Sequence, residues 1–170
     1  SSNAAEELGT IDSGLHYYDS IQDGSFKVWL YDATGAVVGG AATTLTIDKD
    51  AGGTTLAGLE AALDGIHANL AASISGGKLS VTASGGYTFA FSDDTSNVLA
   101  ALGVNTFFTG TSANDISVNS ILNGRKELIA AGRVGATGQI SAGDNSNALA
   151  VARLQDLSVT IKSWTYERGE

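Results

Sequence analysis

The sequence predicts an α+β fold with a mainly antiparallel β-sheet and short packed helices. Segments in which apolar and polar residues alternate, the pattern of strands, stand beside segments with apolar residues at three- and four-residue spacing, the pattern of helices. The two kinds of segment do not follow the strict strand–helix–strand rhythm of a doubly wound parallel sheet. Glycine is abundant, with 22 among 170 residues, and glycine doublets separate several segments, as expected for tight turns.

The first strand is predicted at residues 24–32 (GSFKVWLYD), because apolar and polar residues alternate there between two turn segments. Trp29 and Tyr31 fall on the face opposite the fully apolar one. A return strand is expected to begin at residues 36–38. Alternation resumes at residues 43–48 (TTLTID), which predict another strand.

A helix is predicted next, because Thr54 or Thr55 can cap it and apolar residues then recur at helical spacing. Its apolar stripe consists of Leu56, Leu59, Leu63, Ile66 and Leu70. Residues 71–75 and 78–83 predict a hairpin closed by a two-residue glycine turn.

Residues 87–110 read YTFAFSDDTSNVLAALGVNTFFTG. The first five of these residues alternate and predict a strand. Asp93 or Asp94 is expected to cap a short helix that runs to Leu102. Gly103 is expected to end that helix in the left-handed conformation.

Sparser structure is predicted in the last third of the chain. A small polar loop at residues 109–114 precedes a short extended segment at 116–118. Residues 120–131 predict a short helix, and residues 132–143 are glycine-rich and irregular.

The last predicted elements are a helix and a strand. The helix is capped by Asp144, runs to about Leu157 and is expected to bury the apolar side chains of Leu149, Ala152 and Leu154. Residues 158–161 are expected to form a final strand.

Charge and composition exclude several classes of function. The net charge is −9, with three basic and 13 acidic residues in 1–115 against six basic and five acidic residues in 116–170. An acidic surface repels phosphate backbones and anionic lipids, so no nucleic acid and no membrane are expected as partners. Cysteine is absent, which excludes disulfides, thiolate metal sites and a thiol nucleophile.

No residues stand out as catalytic. His16 and His67 are the two histidines, and neither is placed by the sequence in a Ser-His-Asp arrangement, which is recognised by geometry. The adjacent Asp93 and Asp94 are better explained as helix-capping acids than as a catalytic carboxylate pair. We therefore expect no enzyme activity, no catalytic residue and no cofactor.

One segment superficially resembles a calcium-binding loop. Asp48, Asp50 and Gly53 match its first half, but the twelfth position holds Leu59, where a bidentate glutamate is required. A turn after the strand explains these residues better, so no metal site is expected.

Four aromatic residues are candidates for contact with a partner. Trp29 and Tyr31 share one strand face, and the adjacent, extended Phe107 and Phe108 cannot both face the core. Either other parts of the chain cover these side chains, or they form an aromatic patch for a partner.

The segment at residues 87–110, paired with GDNSNALAVARLQD at residues 143–156, resembles the family of the first hook-associated protein of the bacterial flagellum, which joins hook to filament. The resemblance covers residues 56–110 and 116–156. An Ile-Asn pair that often ends the helix of the shared module is replaced by Ile66-His67. The long heptad helices at both ends of the family are missing, so the chain looks like a middle fragment.

The resemblance implies a domain organisation. Residues 1–4 are interpreted as a vector remnant, residues 5–112 as an α+β outer domain, and residues 113–170 as a return segment toward a missing helical core. The helix predicted from Asp144 is then expected to pack imperfectly, because its native neighbours lie outside the chain. The isolated fragment is expected to be a monomer.

The function implied by the resemblance is structural. It implies an extracellular subunit of the flagellum, exported without a cleaved signal peptide, that contacts copies of itself, the hook protein and the second junction protein. One alternative is a β-rich carbohydrate-binding or adhesin-like module that uses Trp29, Tyr31 and Tyr87. Another is a glycosidase, which would need two carboxylates facing each other across a groove.

Overall fold

A computed structural model describes residues 3–15, 17–50, 52–104, 106–110 and 114–158 and confirms the α+β class. The strands are β1 (Gly24–Tyr31), β2 (Thr43–Ile47), β3 (Leu70–Ser75), β4 (Lys78–Ala83), β5 (Thr88–Ser92), β6 (Phe108–Thr109) and β7 (Ser117–Val118). The α-helices are α1 (Leu56–Asp64), α2 (Val98–Ala101), α3 (Ser120–Asn123) and α4 (Ser146–Ala152). Single 3-10 turns occur at Ile11–Ser13, Tyr18–Ser20, Val38–Gly40, Lys126–Leu128 and Arg153–Asp156. All strand pairs among these residues are antiparallel.

The central sheet has the strand order β2-β1-β5. In β1, Phe26 lies opposite Leu45 of β2, and Val28 lies opposite Phe91 of β5. Both faces of β1 are covered near its end, because Val28, Trp29, Leu30 and Tyr31 are all buried. β1 is therefore the middle strand of the sheet and contributes buried side chains on both of its faces.

The return strand expected at residues 36–38 does not form. Val37 makes a single antiparallel bridge to Tyr31, and the chain then enters a 3-10 turn. Gly39 and Gly40 have φ angles of 69° and 71°, in the left-handed region that glycine adopts readily. The ladder stops because these two residues turn the chain away from β1.

Helix α1 begins where the sequence predicts. The Thr55 hydroxyl accepts a hydrogen bond from the Gly58 amide at 2.9 Å, and this cap satisfies one of the free amides of the first turn. Leu56, Leu59 and Leu63 are buried, as the apolar stripe predicts.

The helix ends earlier than the stripe suggests, because Leu70 belongs to β3. Gly65 follows the last helical residue and disfavours continuation of the helix. Two residues later, His67 Nδ1 accepts a hydrogen bond from the Asn69 amide at 3.1 Å. This local bond gives the backbone an alternative to the helical pattern.

Replacing Thr55 with alanine is expected to lower the free energy of unfolding by about 1 kcal/mol, because the Gly58 amide loses its acceptor. Urea unfolding followed by circular dichroism measures the change. Thr44→Ala on β2 is the control, since its side chain is exposed. Equal losses in the two variants would show that the cap contributes nothing specific.

The predicted hairpin is confirmed. Strands β3 and β4 pair from Leu70–Ala83 to Ser75–Lys78, and Gly76 and Gly77 connect them with φ angles of 58° and 73°. Two central residues with positive φ are what a type I′ hairpin turn requires.

Helix α2 is shorter than predicted. Asp94 sits at its approach: Oδ1 accepts from the Ser96 amide at 2.8 Å and Oδ2 from the Leu99 amide at 2.9 Å. Asn97 has a φ of 62°, so helical geometry starts only at the next residue. Gly103 ends the helix with a φ of 76°, which confirms the predicted left-handed stop.

Among the described residues, the hydrophobic core lies in the first two thirds of the chain. Every buried hydrophobic residue of the described ranges falls between Leu8 and Ala101. Within residues 114–158, no hydrophobic side chain is buried.

The expected burial by the helix after Asp144 is therefore wrong. Helix α4 ends at Ala152, and Leu149, Ala152 and Leu154 are exposed. The reason is that no other part of the described chain covers this face. The exposure agrees with the expectation of imperfect packing for this helix. Residues 159–161 of the predicted last strand lie outside the described residues, as does His16.

Candidate functional site

An apolar groove of about 1110 Å³ lies between the first part of the chain and residues 119–151. One wall consists of side chains from the core region, among them Leu63, Val81, Phe89, Phe91 and Leu99. The other wall includes Phe107, Ile121, Leu128, Ile129 and Val151. These five side chains of the second wall are all exposed. The groove thus has one wall of side chains from the core region and one wall of exposed apolar side chains.

Beside the groove, Phe107 and Phe108 form an exposed aromatic pair. Their ring centroids lie 4.8 Å apart in an edge-on arrangement, and Phe108 is 58% exposed. In the short ladder between β6 and β7, Phe108 lies opposite Val118, which is also exposed. Both candidates for partner contact in this segment are therefore accessible.

Trp29 and Tyr31 are not accessible, which corrects the expectation that they offer a surface to a partner. Their exposed fractions are 4% and 5%. Trp29 Nε1 donates to Ser92 Oγ at 2.9 Å, and the Tyr31 hydroxyl donates to the Gly138 carbonyl at 2.7 Å. The physical reason is cover from within the chain, because Gly138 sits against the Trp29 ring. Burial also raises the pKa of the Tyr31 phenol.

The same burial bears on the carbohydrate-binding alternative, which needs Trp29, Tyr31 and Tyr87 in one exposed cleft. The first two are buried. Tyr87 stacks on His67, with ring centroids 5.2 Å apart and an interplanar angle of 28°. These three aromatic residues therefore do not form an open sugar-stacking platform.

Asp93 and Asp94 have structural partners. Asp93 Oδ2 lies 2.8 Å from Lys27 Nζ, and the hydrogen bond from Lys27 lowers the pKa of the Asp93 carboxyl. Asp94 accepts bonds from the residues that lead into α2. Asp94 thus accepts a bond from the Leu99 amide in the first turn of α2, although the N-cap position itself holds Asn97, whose side chain makes no capping hydrogen bond. Asp93 instead forms an ion pair with Lys27 of β1.

An acidic cluster that the sequence does not reveal lies at one end of the central sheet. Carboxylate oxygens of Asp23, Asp48 and Asp50 come within 4.8 Å of one another, and all three residues are exposed. Pairing of Gly24 with Ile47 brings Asp23 to the others. Asp23 Oδ1 accepts from the Lys49 amide and Asp48 Oδ1 from the Asp50 amide, both at 3.0 Å. The bond between Asp48 and Asp50 belongs to the turn that the sequence predicts, whereas the bond between Asp23 and Lys49 joins two segments that are distant in the sequence.

Comparison with known proteins adds no relative: no protein-family model matches the chain, and no curated protein sequence matches it significantly. Across the ranges that the structure describes, none of the helices is both long enough and apolar enough to cross a membrane.

Proposed function

We propose that this protein is a structural subunit of the bacterial flagellum at the junction between hook and filament. The observation that carries the proposal is the uneven burial of apolar side chains. The buried hydrophobic side chains of the described residues all lie between Leu8 and Ala101, whereas none in residues 114–158 is buried. A segment of this kind contributes little to its own folding and is suited to packing against other polypeptides.

The apolar groove gives this packing a location. Phe107, Ile121 and Val151 are exposed and line it, so a partner seated there would bury both walls at once. Burial of apolar surface contributes roughly 25 cal/mol per Å². An assembly contact at the groove therefore has a physical driving force, while no catalytic set accompanies it among the described residues.

The resemblance of residues 87–110 and 143–156 to the junction-protein family supports the choice of assembly. On this proposal the partners are other copies of the chain, the hook protein and the second junction protein, in an extracellular location. On this proposal the isolated chain is a monomer. The protein is not an enzyme.

Immunogold electron microscopy tests the proposal. Antibodies raised against this protein are applied to detached flagella and intact cells of its source. We expect gold particles in one band where the hook meets the filament, because a junction subunit occupies only that position. Cells that lack the gene provide the control.

Two other outcomes would overturn the proposal. Label spread over the cell surface, together with binding of the protein to glycans, would favour the adhesin-like alternative. Absence of label from flagella that carry both hook and filament would exclude the junction.

A further inference from the structure

A glycine-rich turn at residues 135–139 attaches to the central sheet. The Gly135 amide donates to the Gln139 carbonyl at 2.9 Å, and the Gly138 amide donates to the Gly135 carbonyl at 2.9 Å. At the tip of the turn, Gly138 is buried. It is the one buried residue among residues 114–158.

The contact at Gly138 is close and specific. Gly138 has a φ of 84°, and a Cβ at this position would overlap the Trp29 ring and lie 2.8 Å from Val37 Cγ2. Its carbonyl accepts the hydrogen bond of the buried Tyr31 hydroxyl at 2.7 Å. Only glycine satisfies both the backbone angle and the distance to the ring.

Both ends of this contact are anchored. On the sheet side, Tyr31 belongs to β1, and Trp29 is hydrogen-bonded to Ser92 of β5. On the other side, Asp144 Oδ2 accepts from the Arg133 amide at 2.8 Å, while its Oδ1 accepts from the Ser146 amide at 2.9 Å. These amide bonds lower the pKa of the Asp144 carboxyl. Asp144 thus connects Arg133, which precedes the turn, with Ser146, the first residue of α4.

We propose that Gly138, Trp29 and Tyr31 form a clasp that holds residues 114–158 in one orientation on the central sheet. None of the hydrophobic side chains of this segment is buried, so they provide no fully buried interface that could fix the orientation instead. In the assembly the clasp would transmit force between the sheet and the contacts made by the apolar groove. That last role rests on the proposed function, whereas the clasp itself does not.

The test is a distance measurement in the isolated chain. Because the protein has no cysteine, T44C and A148C place two spin labels, one on β2 and one on α4, at exposed positions. Double electron–electron resonance then gives the distribution of distances between them. We expect one narrow distribution in this parent and at least a twofold wider one in G138A, because the added methyl group pushes the turn off the Trp29 ring.

Gly143 provides a matched control. Its φ is also 84°, yet a Cβ there meets nothing within 4 Å. G143A therefore carries the same backbone strain without the clash, and its distribution is expected to stay close to that of the parent. Equal broadening in G143A and G138A would overturn the proposal, because strain alone would then explain the effect.

A second variant covers the case in which G138A fails to fold. Y31F removes only the hydroxyl that bonds Gly138, and we expect it to widen the distribution by a smaller factor while circular dichroism stays unchanged. A parent distribution that is already broad, or one that neither variant widens, would overturn the clasp. Neither result depends on where the protein is located, so failure of the clasp is distinct from failure of the proposed function.

Discussion

Replacing Phe26 with alanine is expected to lower the free energy of unfolding by about 3–5 kcal/mol. Phe26 is 1% exposed and stands in the central strand β1. Its ring meets the edge of the Phe91 ring, with centroids 5.8 Å apart, and its backbone is opposite Leu45. Truncation would leave a cavity in the middle of the core as well as remove apolar contact.

Urea unfolding followed by tryptophan fluorescence measures this loss. Phe108→Ala is the matched control, because the same side chain is removed at a position that is 58% exposed. We expect the control to change stability by no more than about 0.5 kcal/mol. Similar losses in the two variants would contradict the division between a buried core and an accessible aromatic pair.

Cutting the chain after Gly110 is expected to separate a part that folds from a part that does not. The fragment that ends at Gly110 keeps every buried hydrophobic residue of the described chain and should unfold in one cooperative transition. A peptide of residues 114–158 has no buried apolar side chain of its own. It cannot offset the conformational entropy of ordering, about 1–2 kcal/mol per residue for the backbone alone.

Thermal melts by circular dichroism distinguish the two fragments. The longer one also has Trp29 as its sole tryptophan, since Trp164 is removed. We expect the fluorescence emission maximum of this fragment to lie at a longer wavelength than that of the intact chain carrying W164F, in which Trp29 is also the sole tryptophan. The reason is that the fragment lacks Gly138, which covers the Trp29 ring. A cooperative melt of the 114–158 peptide would contradict the expectation, and so would an uncooperative melt of the longer fragment.

The sequence predicts the regular elements where the signal is local. Alternation over residues 24–32, the glycine pair at Gly76-Gly77 and the cap at Thr55 each depend on neighbours within a few residues, and each prediction matches the structure. Helix lengths are predicted less well. Asn97 adopts a left-handed φ, so α2 begins only at Val98. The spacing of apolar residues does not predict this backbone conformation.

Burial is the property that sequence pattern predicts least. Leu149 and Leu154 are predicted to be buried by the helix after Asp144 but are exposed, because a sequence pattern does not specify what covers a side chain. Trp29 and Tyr31 are buried instead, because they are covered by Gly138, which lies 107 residues after Tyr31 in the sequence. The approach of Asp23 to Asp48 likewise follows from strand pairing and has no local signal.

The strand order β2-β1-β5 also constrains how this chain can be made. The partner of β1 on one side, β2, begins within 12 residues of its end, but its partner on the other side begins only at Thr88. During synthesis from the N-terminus, one edge of β1 therefore stays unpaired until residues 32–92 have been added. Closing that long loop has an entropic cost that a hairpin such as β3–β4 avoids. The strand at the centre of the finished sheet is among the first to be synthesised and among the last to be completed.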